Sequence, residues 1–257
     1  MSTGEIKYIR SGLSVLLVFI SLCFQGAVGS VPEFSLEWGR GADNSPGALG
    51  FTEGIAVDSV TGDVFVTDRS FSRVQRIDKN GTFITEWDCH DCIGADVNEV
   101  THNVYFGKQS ANTVVEYTPD GVLVRQWGGF GTADGLFNRP RNVAVDSSTG
   151  NVYVMDVFNA RVQVFDGAGN FLRKWGSVGS GDGQFSGLSG PHAVTFDPNT
   201  REVFVSDARQ NSVQRFDESG NFLAKWSQAW GTDVGKTRWI RDIAIGTDGN
   251  VYIADSD

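Results

Sequence analysis

Three cysteines and three histidines in 257 residues leave this chain too poor in soft ligands for a multi-cysteine metal centre, and too poor in thiols for a disulfide scaffold. Proline is also scarce, at six residues. The charge is one-sided: the formal net charge is -10, and no cluster of Lys or Arg stands anywhere along the chain. A surface of that sign repels polyphosphate and offers no counterion-releasing patch, which excludes nucleic acid as a partner. What the chain does have is 32 glycines and 12% aromatic residues, a composition suited to many short strands joined by tight turns.

One apolar run stands out. Residues Ser11 to Gly29 follow Lys7 and Arg10, and Ala27-Val28-Gly29 ahead of Ser30 offers small residues for cleavage. Residues 1–29 read as a signal peptide or as an uncleaved N-terminal membrane anchor. Either way the expected location is extracytoplasmic, secreted or anchored, with membrane contact only through that segment.

The remainder, 30–257, is organised by repetition. Gly54–Trp87, Gly94–Trp127, Asn142–Trp175 and Ala193–Trp226 align without gaps, each 34 residues long. A partial unit spans 242–257, and Phe34 to Gly39 matches the fourth strand of a unit, suggesting an N-terminal closing strand at 34–39. Within a unit, apolar residues alternate and Gly, Asn or Asp mark the turns, which predicts a four-stranded meander. Such a sheet cannot bury both faces alone, so units must stack around an axis. The expected fold is all-β: a β-propeller of four-stranded blades, six-bladed or five-bladed when complete, and truncated here.

The units resemble the NHL repeat family, whose pattern runs through an Asp closing the second strand and an Asn-x-Arg-Val-Gln stretch opening the third. Asn159-Ala160-Arg161-Val162-Gln163 carries it intact, and the spacers around Gly181-Asp182-Gly183-Gln184-Phe185 and Asp134-Gly135-Leu136-Phe137 look similar. The resemblance runs over about residues 34–257. It implies a propeller and leaves function open, since one scaffold hosts unrelated activities. The Asp and Arg of the pattern are expected to pair, Asp68 with Arg73 and Asp156 with Arg161. The second unit replaces both partners together, with Lys108 and Thr113. In the fourth, Asp207 faces Ser212, which predicts a hydroxyl hydrogen bond.

First strands should line the channel, so the residues just before them should ring one mouth: Glu53, Ile93, Arg141, His192 and Arg241. In the family's peptidyl-hydroxyglycine amidating-lyase branch, histidines after proline hold zinc at such places. Here only Pro191-His192 matches, and a metal beside Arg141 and Arg241 is disfavoured, so no metal or cofactor is assigned. The ring of Glu53, Arg141, His192 and Arg241 suits a carboxylate or similar anion. The competing reading is that Glu53 simply pairs with an arginine.

The tryptophans at 38, 87, 127, 175 and 226 recur at one repeat position and read as packing, whereas Trp230 and Trp239 lie in a spacer and are candidates for exposed contacts. Cys89 and Cys92 are a disulfide candidate. His102, at a turn where other units hold Gly or Arg, reads as plain surface. No nucleophile elbow, phosphate loop or catalytic carboxylate pair stands out. The expectation is a binding or scaffold module for a protein or small anionic ligand; the alternative is a metal-dependent lyase or lactonase-type enzyme that uses the channel.

Overall fold

The computed structural model describes residues 6–10, 44–188, 190–227 and 239–255, the first of these as backbone only. The expected closing strand at 34–39, most of the leader and Trp230 lie outside the described residues. Among the described residues no helix is long and apolar enough to cross a membrane.

Four four-stranded antiparallel sheets follow one another along the chain. The first blade holds β2 (Thr52–Val57), β3 (Val64–Asp68), β4 (Arg73–Ile77) and β5 (Phe83–Asp88). The second holds β6 (Cys92–Val97), β7 (Val104–Lys108), β8 (Thr113–Tyr117) and β9 (Leu123–Gly128). The third holds β10 (Pro140–Asp146), β11 (Asn151–Asp156), β12 (Arg161–Phe165) and β13 (Phe171–Trp175). The fourth holds β14 (Pro191–Asp197), β15 (Glu202–Asp207), β16 (Ser212–Asp217) and β17 (Phe222–Ser227). The units read from the repeat are these sheets. A fifth sheet holds β18 (Ile240–Ile245) and β19 (Val251–Asp255), with β1 (Ile6–Arg10) running parallel to β19 on its outer side; β1 falls within residues 1–29, so this pairing and the leader reading claim the same residues.

Strand order within each full sheet is sequential, and the first strands β2, β6, β10, β14 and β18 neighbour one another in turn, so they form the inner wall. Alternation decides which interface a side chain fills. Phe106 packs back onto the first blade with Phe65 and Val74, while Tyr105, its neighbour on β7, packs forward with Val143 and Phe165 of the third. The same division repeats between the third and fourth blades, where Tyr153 and Phe196 stack at 5.3 Å, and between the fourth blade and Ile240, Ile243 and Ile253.

The repeated tryptophans tie neighbouring blades. Trp87 meets Tyr117 of the next blade at 5.9 Å, Trp127 meets Phe165 at 5.9 Å, and Trp175 meets Phe216 at 5.7 Å. Each indole also lies under a turn glycine of that next blade. A Cβ at Gly121 would approach Trp87 to 2.6 Å, and at Gly220 it would approach Trp175 to 2.5 Å, with both residues at positive φ. These turns are therefore glycine for two reasons, backbone conformation and indole contact.

Candidate functional site

The first strand of each blade runs away from the channel mouth, and its opening carries a register break. Thr52 pairs with Asp68 and Gly54 with Thr67, which leaves Glu53 as the extra residue. The break recurs around Arg141 (between Pro140 and Val143), around His192 (between Pro191 and Val194) and at Arg241 (between Ile240 and Asp242). A bulge re-aims the residue it leaves unpaired. Glu53, Arg141, His192 and Arg241 therefore depart from the sheet ladder at the same point of their blades.

The ring closes across the channel. Arg141 Nη2, on the third blade, donates to Glu53 Oε1, on the first, at 3.4 Å, although the two are 88 residues apart. Arg69, just past the end of β3, donates through Nη1 to Glu53 Oε2 at 2.9 Å. The Glu53 side chain is 12% exposed and that of Arg141 is 18% exposed. Burial lowers the Arg141 pKa; Glu53 opposes this, whereas the neighbouring charges of Arg241 and Arg69 push in the same direction as burial. His192 is buried at the same strand position.

Deeper in the channel stand two carboxylates that sequence reading passed over. Asp96, on β6, accepts from the backbone N–H of Val97 at 2.9 Å and of Val145 on β10 at 2.7 Å. Desolvation nevertheless raises its pKa to about 7, helped by Glu99 and Asp242. Asp242, on β18, is raised to about 6 by burial, against the N–H of Ile243 and the charge of Arg141. Asp96 stands where the other units have Ala or Thr, a signal in the repeat alignment that could have marked it.

The two ends differ in charge. Arg69, Arg139 and Arg209 are exposed on loops at the mouth end, beside Arg141 and Arg241 and with the acids Asp88, Asp134 and Asp182, and Arg139 lies over the Phe158 ring at 5.0 Å. The turns at the far end carry Asp58, Glu99, Asp120, Asp166, Asp217 and Glu218 against Lys79 and Arg201.

The Asp–Arg motif serves the scaffold. Arg161 Nε donates to Asp156 Oδ2 at 2.8 Å, and its terminal nitrogens donate to the carbonyls of Thr132, Ala133 and Leu136 in the preceding spacer. Arg73 reaches Asp68 at 3.4 Å and Ala48 O at 2.8 Å. The motif glutamine completes the clamp: Gln163 donates to Leu136 O and accepts from Gly135 N, and Gln75 and Gln214 do the same for Ala48 and Gly47, and for Gln184 and Gly183. The second blade has Val115 there and the shortest spacer, closed by a bond between Cys89 and Cys92.

Two expectations are corrected. Asp207 receives Ser186 and the N–H groups of Arg209 and Gln210, whereas the Ser212 hydroxyl makes no bond to it. His102 is more than plain surface: its Nδ1 lies 2.7 Å from Asp58 Oδ2 of the first blade. Trp239, 37% exposed, donates through its backbone N–H to Asp255. A cavity of about 270 Å³ on the outer flank of the first blade is lined by Phe71, Arg73, Glu86 and Trp87. Its arginine is already consumed by Asp68, Glu86 and three carbonyls. Among the described residues no group of three or more His, Cys, Asp or Glu is placed to hold a metal ion.

Sheets stacked by their inner strands around a channel define a β-propeller, and comparison with solved structures agrees. A streptogramin B lyase superposes with a TM-score of 0.57 at 15% identity, over 80% of this chain and 62% of that one. A catalytically inactive virginiamycin B lyase from Staphylococcus aureus, with quinupristin, gives 0.59 at 14% over 83% and 64%. A chain of the nidogen/laminin complex gives 0.57 at 20% over 80% and 69%. The chain thus spans less than two thirds of the length of the two lyase structures. An NHL repeat model matches residues 137–165, from the spacer through β12 of the third blade, including Asn159 to Gln163. No curated protein sequence matches the chain.

Proposed function

We propose that this NHL-repeat propeller is a binding module outside the cytoplasm that takes a carboxylate-bearing ligand, small or part of a protein, at the channel mouth. The observation that carries the reading is Arg141. A guanidinium has five N–H donors in a planar fork, yet among the described residues this one, mostly buried, meets a single acceptor at 3.4 Å. Its Glu53 partner is already held more closely by Arg69. Donors so placed, with Arg241 and Arg69 adding positive charge, favour a carboxylate that brings two oxygens. The charge asymmetry supports the same face: an anion is repelled by the acidic far end and drawn to the mouth. The pairing of Glu53 with two arginines means that the site is self-neutralised in part, and a ligand must compete with that carboxylate.

The test is a calorimetric screen with citrate, succinate and hexaglutamate, comparing the parent chain with Arg141→Ala. Loss of one charge-assisted contact of about 1.5–3 kcal/mol weakens binding about ten- to a hundred-fold. Equal affinity of parent and variant for every probe rules the reading out.

A lyase reading is favoured by one observation. Asp96 and Asp242 titrate at about 7 and about 6, the range in which a carboxylate serves proton transfer at neutral pH. Against it, both Asp96 oxygens are engaged by backbone N–H groups that fasten β6 to β10.

A further inference from the structure

Asn80-Gly81-Thr82 is the one Asn-x-Ser/Thr triplet in the sequence. It forms the tip of the turn between β4 and β5, where Asn80 and Thr82 are exposed and Gly81 has φ +84. The repeat makes it conspicuous. The other blades place Asp120-Gly121-Val122, Ala168-Gly169-Asn170 and Ser219-Gly220-Asn221 at this turn, so only the first blade combines an asparagine before the glycine with a hydroxyl after it. Asp78 carries the turn itself, accepting from the backbone N–H of Asn80 at 2.9 Å and of Thr82 at 2.7 Å, and the Asn80 side-chain nitrogen lies 3.4 Å from its second oxygen. The turn is held through these backbone N–H groups, and the Asn80 side chain, exposed to solvent, adds one long contact to Asp78.

We infer that Asn80 is a site of N-linked glycosylation, an inference that rests on the proposed export of the chain. The donor is an oligosaccharide joined to a lipid through a diphosphate, supplied by the transferring enzyme of the export route. Asn80 Nδ2 forms a bond to the anomeric carbon of the first sugar, the bond from that carbon to the diphosphate oxygen breaks, the amide proton leaves to a base of the enzyme, and the lipid diphosphate departs with the electron pair. No oxidation state changes. Strand direction sets the consequence, because β4 runs away from the mouth and β5 returns to it. The glycan sits at the far rim among the acidic turns, adding bulk to that face and leaving the channel mouth open to its ligand.

The test is expression of the full chain in insect cells, with Asn80→Gln, Thr82→Ala and Thr82→Ser alongside, followed by recovery from the medium, peptide mass mapping and treatment with peptide-N-glycosidase. The expected result is one glycan at Asn80 in the parent and in Thr82→Ser, lost completely in Asn80→Gln and Thr82→Ala. Chain recovered from the medium, with Cys89 and Cys92 bonded and Asn80 unmodified, overturns the site while sparing the export reading. Chain retained in the cytosol with free thiols overturns export, and the modification falls with it.

Discussion

At the scale of single residues, the channel carboxylates set how stability responds to pH. Asp96 and Asp242 have folded-state pKa values above the ordinary carboxylate range, so their protonated forms favour the fold. Their stabilising contribution is complete below about pH 4 and is lost as pH rises through about 6 and about 7. Asp58 and Asp146 work the other way. Burial raises both, but hydrogen bonds from Thr61, His102 and Val60, and from Ser148, Thr149 and Arg201, more than offset it, holding Asp58 low and bringing Asp146 to about 2. Their contribution is present above the ordinary range and is lost as pH falls. Stability should therefore peak near pH 4 and decline above it. Asp96→Asn keeps an acceptor for the Val145 N–H, gives up the one for the Val97 N–H, and removes one titrating group. It should flatten the decline between pH 5 and 8 and stabilise the chain at pH 8 by about 1–2 kcal/mol. Urea denaturation across that range checks it, and an unchanged slope would refute the assignment of Asp96. The sequence offered Asp96 only as a departure from Ala or Thr; its burial and its cross-blade bond exist only once β6 and β10 are adjacent.

At the scale of elements, blades are joined by more than apolar packing. The turn between first and second strands holds Gly62, His102, Gly150 and Arg201 in successive blades, all at positive φ. Where the residue is not glycine, its side chain reaches back to the previous blade: His102 to Asp58 at 2.7 Å, and Arg201 to Asp146 at 2.8 Å. His102→Ala should cost about 1 kcal/mol, the usual worth of a hydrogen bond to a buried carboxylate, whereas His102→Arg should hold the parent value, because the fourth blade already uses arginine in this role. Urea midpoints of the two variants separate a fastener from a surface histidine. Equal midpoints would leave His102 as surface. Apolar alternation and turn glycines are local properties, which is why the four meanders were legible from Gly54 to Trp226. The fasteners and the Gln163-type spacer clamps were not, because each pairs residues about 25 to 55 positions apart, and the clamp partners are backbone groups that no residue type marks.

At the scale of the whole molecule, stacking converts a chain of net charge -10 into a body with unlike ends. The repeat alignment located the mouth positions Glu53, Arg141, His192 and Arg241, since strand order dictates where first strands begin. It did not show that a bulge frees those residues from the ladder, or that Arg69 and Arg141 share the Glu53 carboxylate, each on its own oxygen. Because Glu53 must compete with any ligand for Arg141, the anion-site account has a sharp consequence. Removing the Glu53 charge should strengthen anion binding, and removing the Arg141 guanidinium should weaken it. The deciding measurement is isothermal titration of citrate into Glu53→Gln and Arg141→Ala beside the parent chain, at one salt concentration. The account predicts shifts in opposite directions, several-fold tighter for Glu53→Gln and about ten-fold or more weaker for Arg141→Ala. Shifts in the same direction, or none, would contradict it.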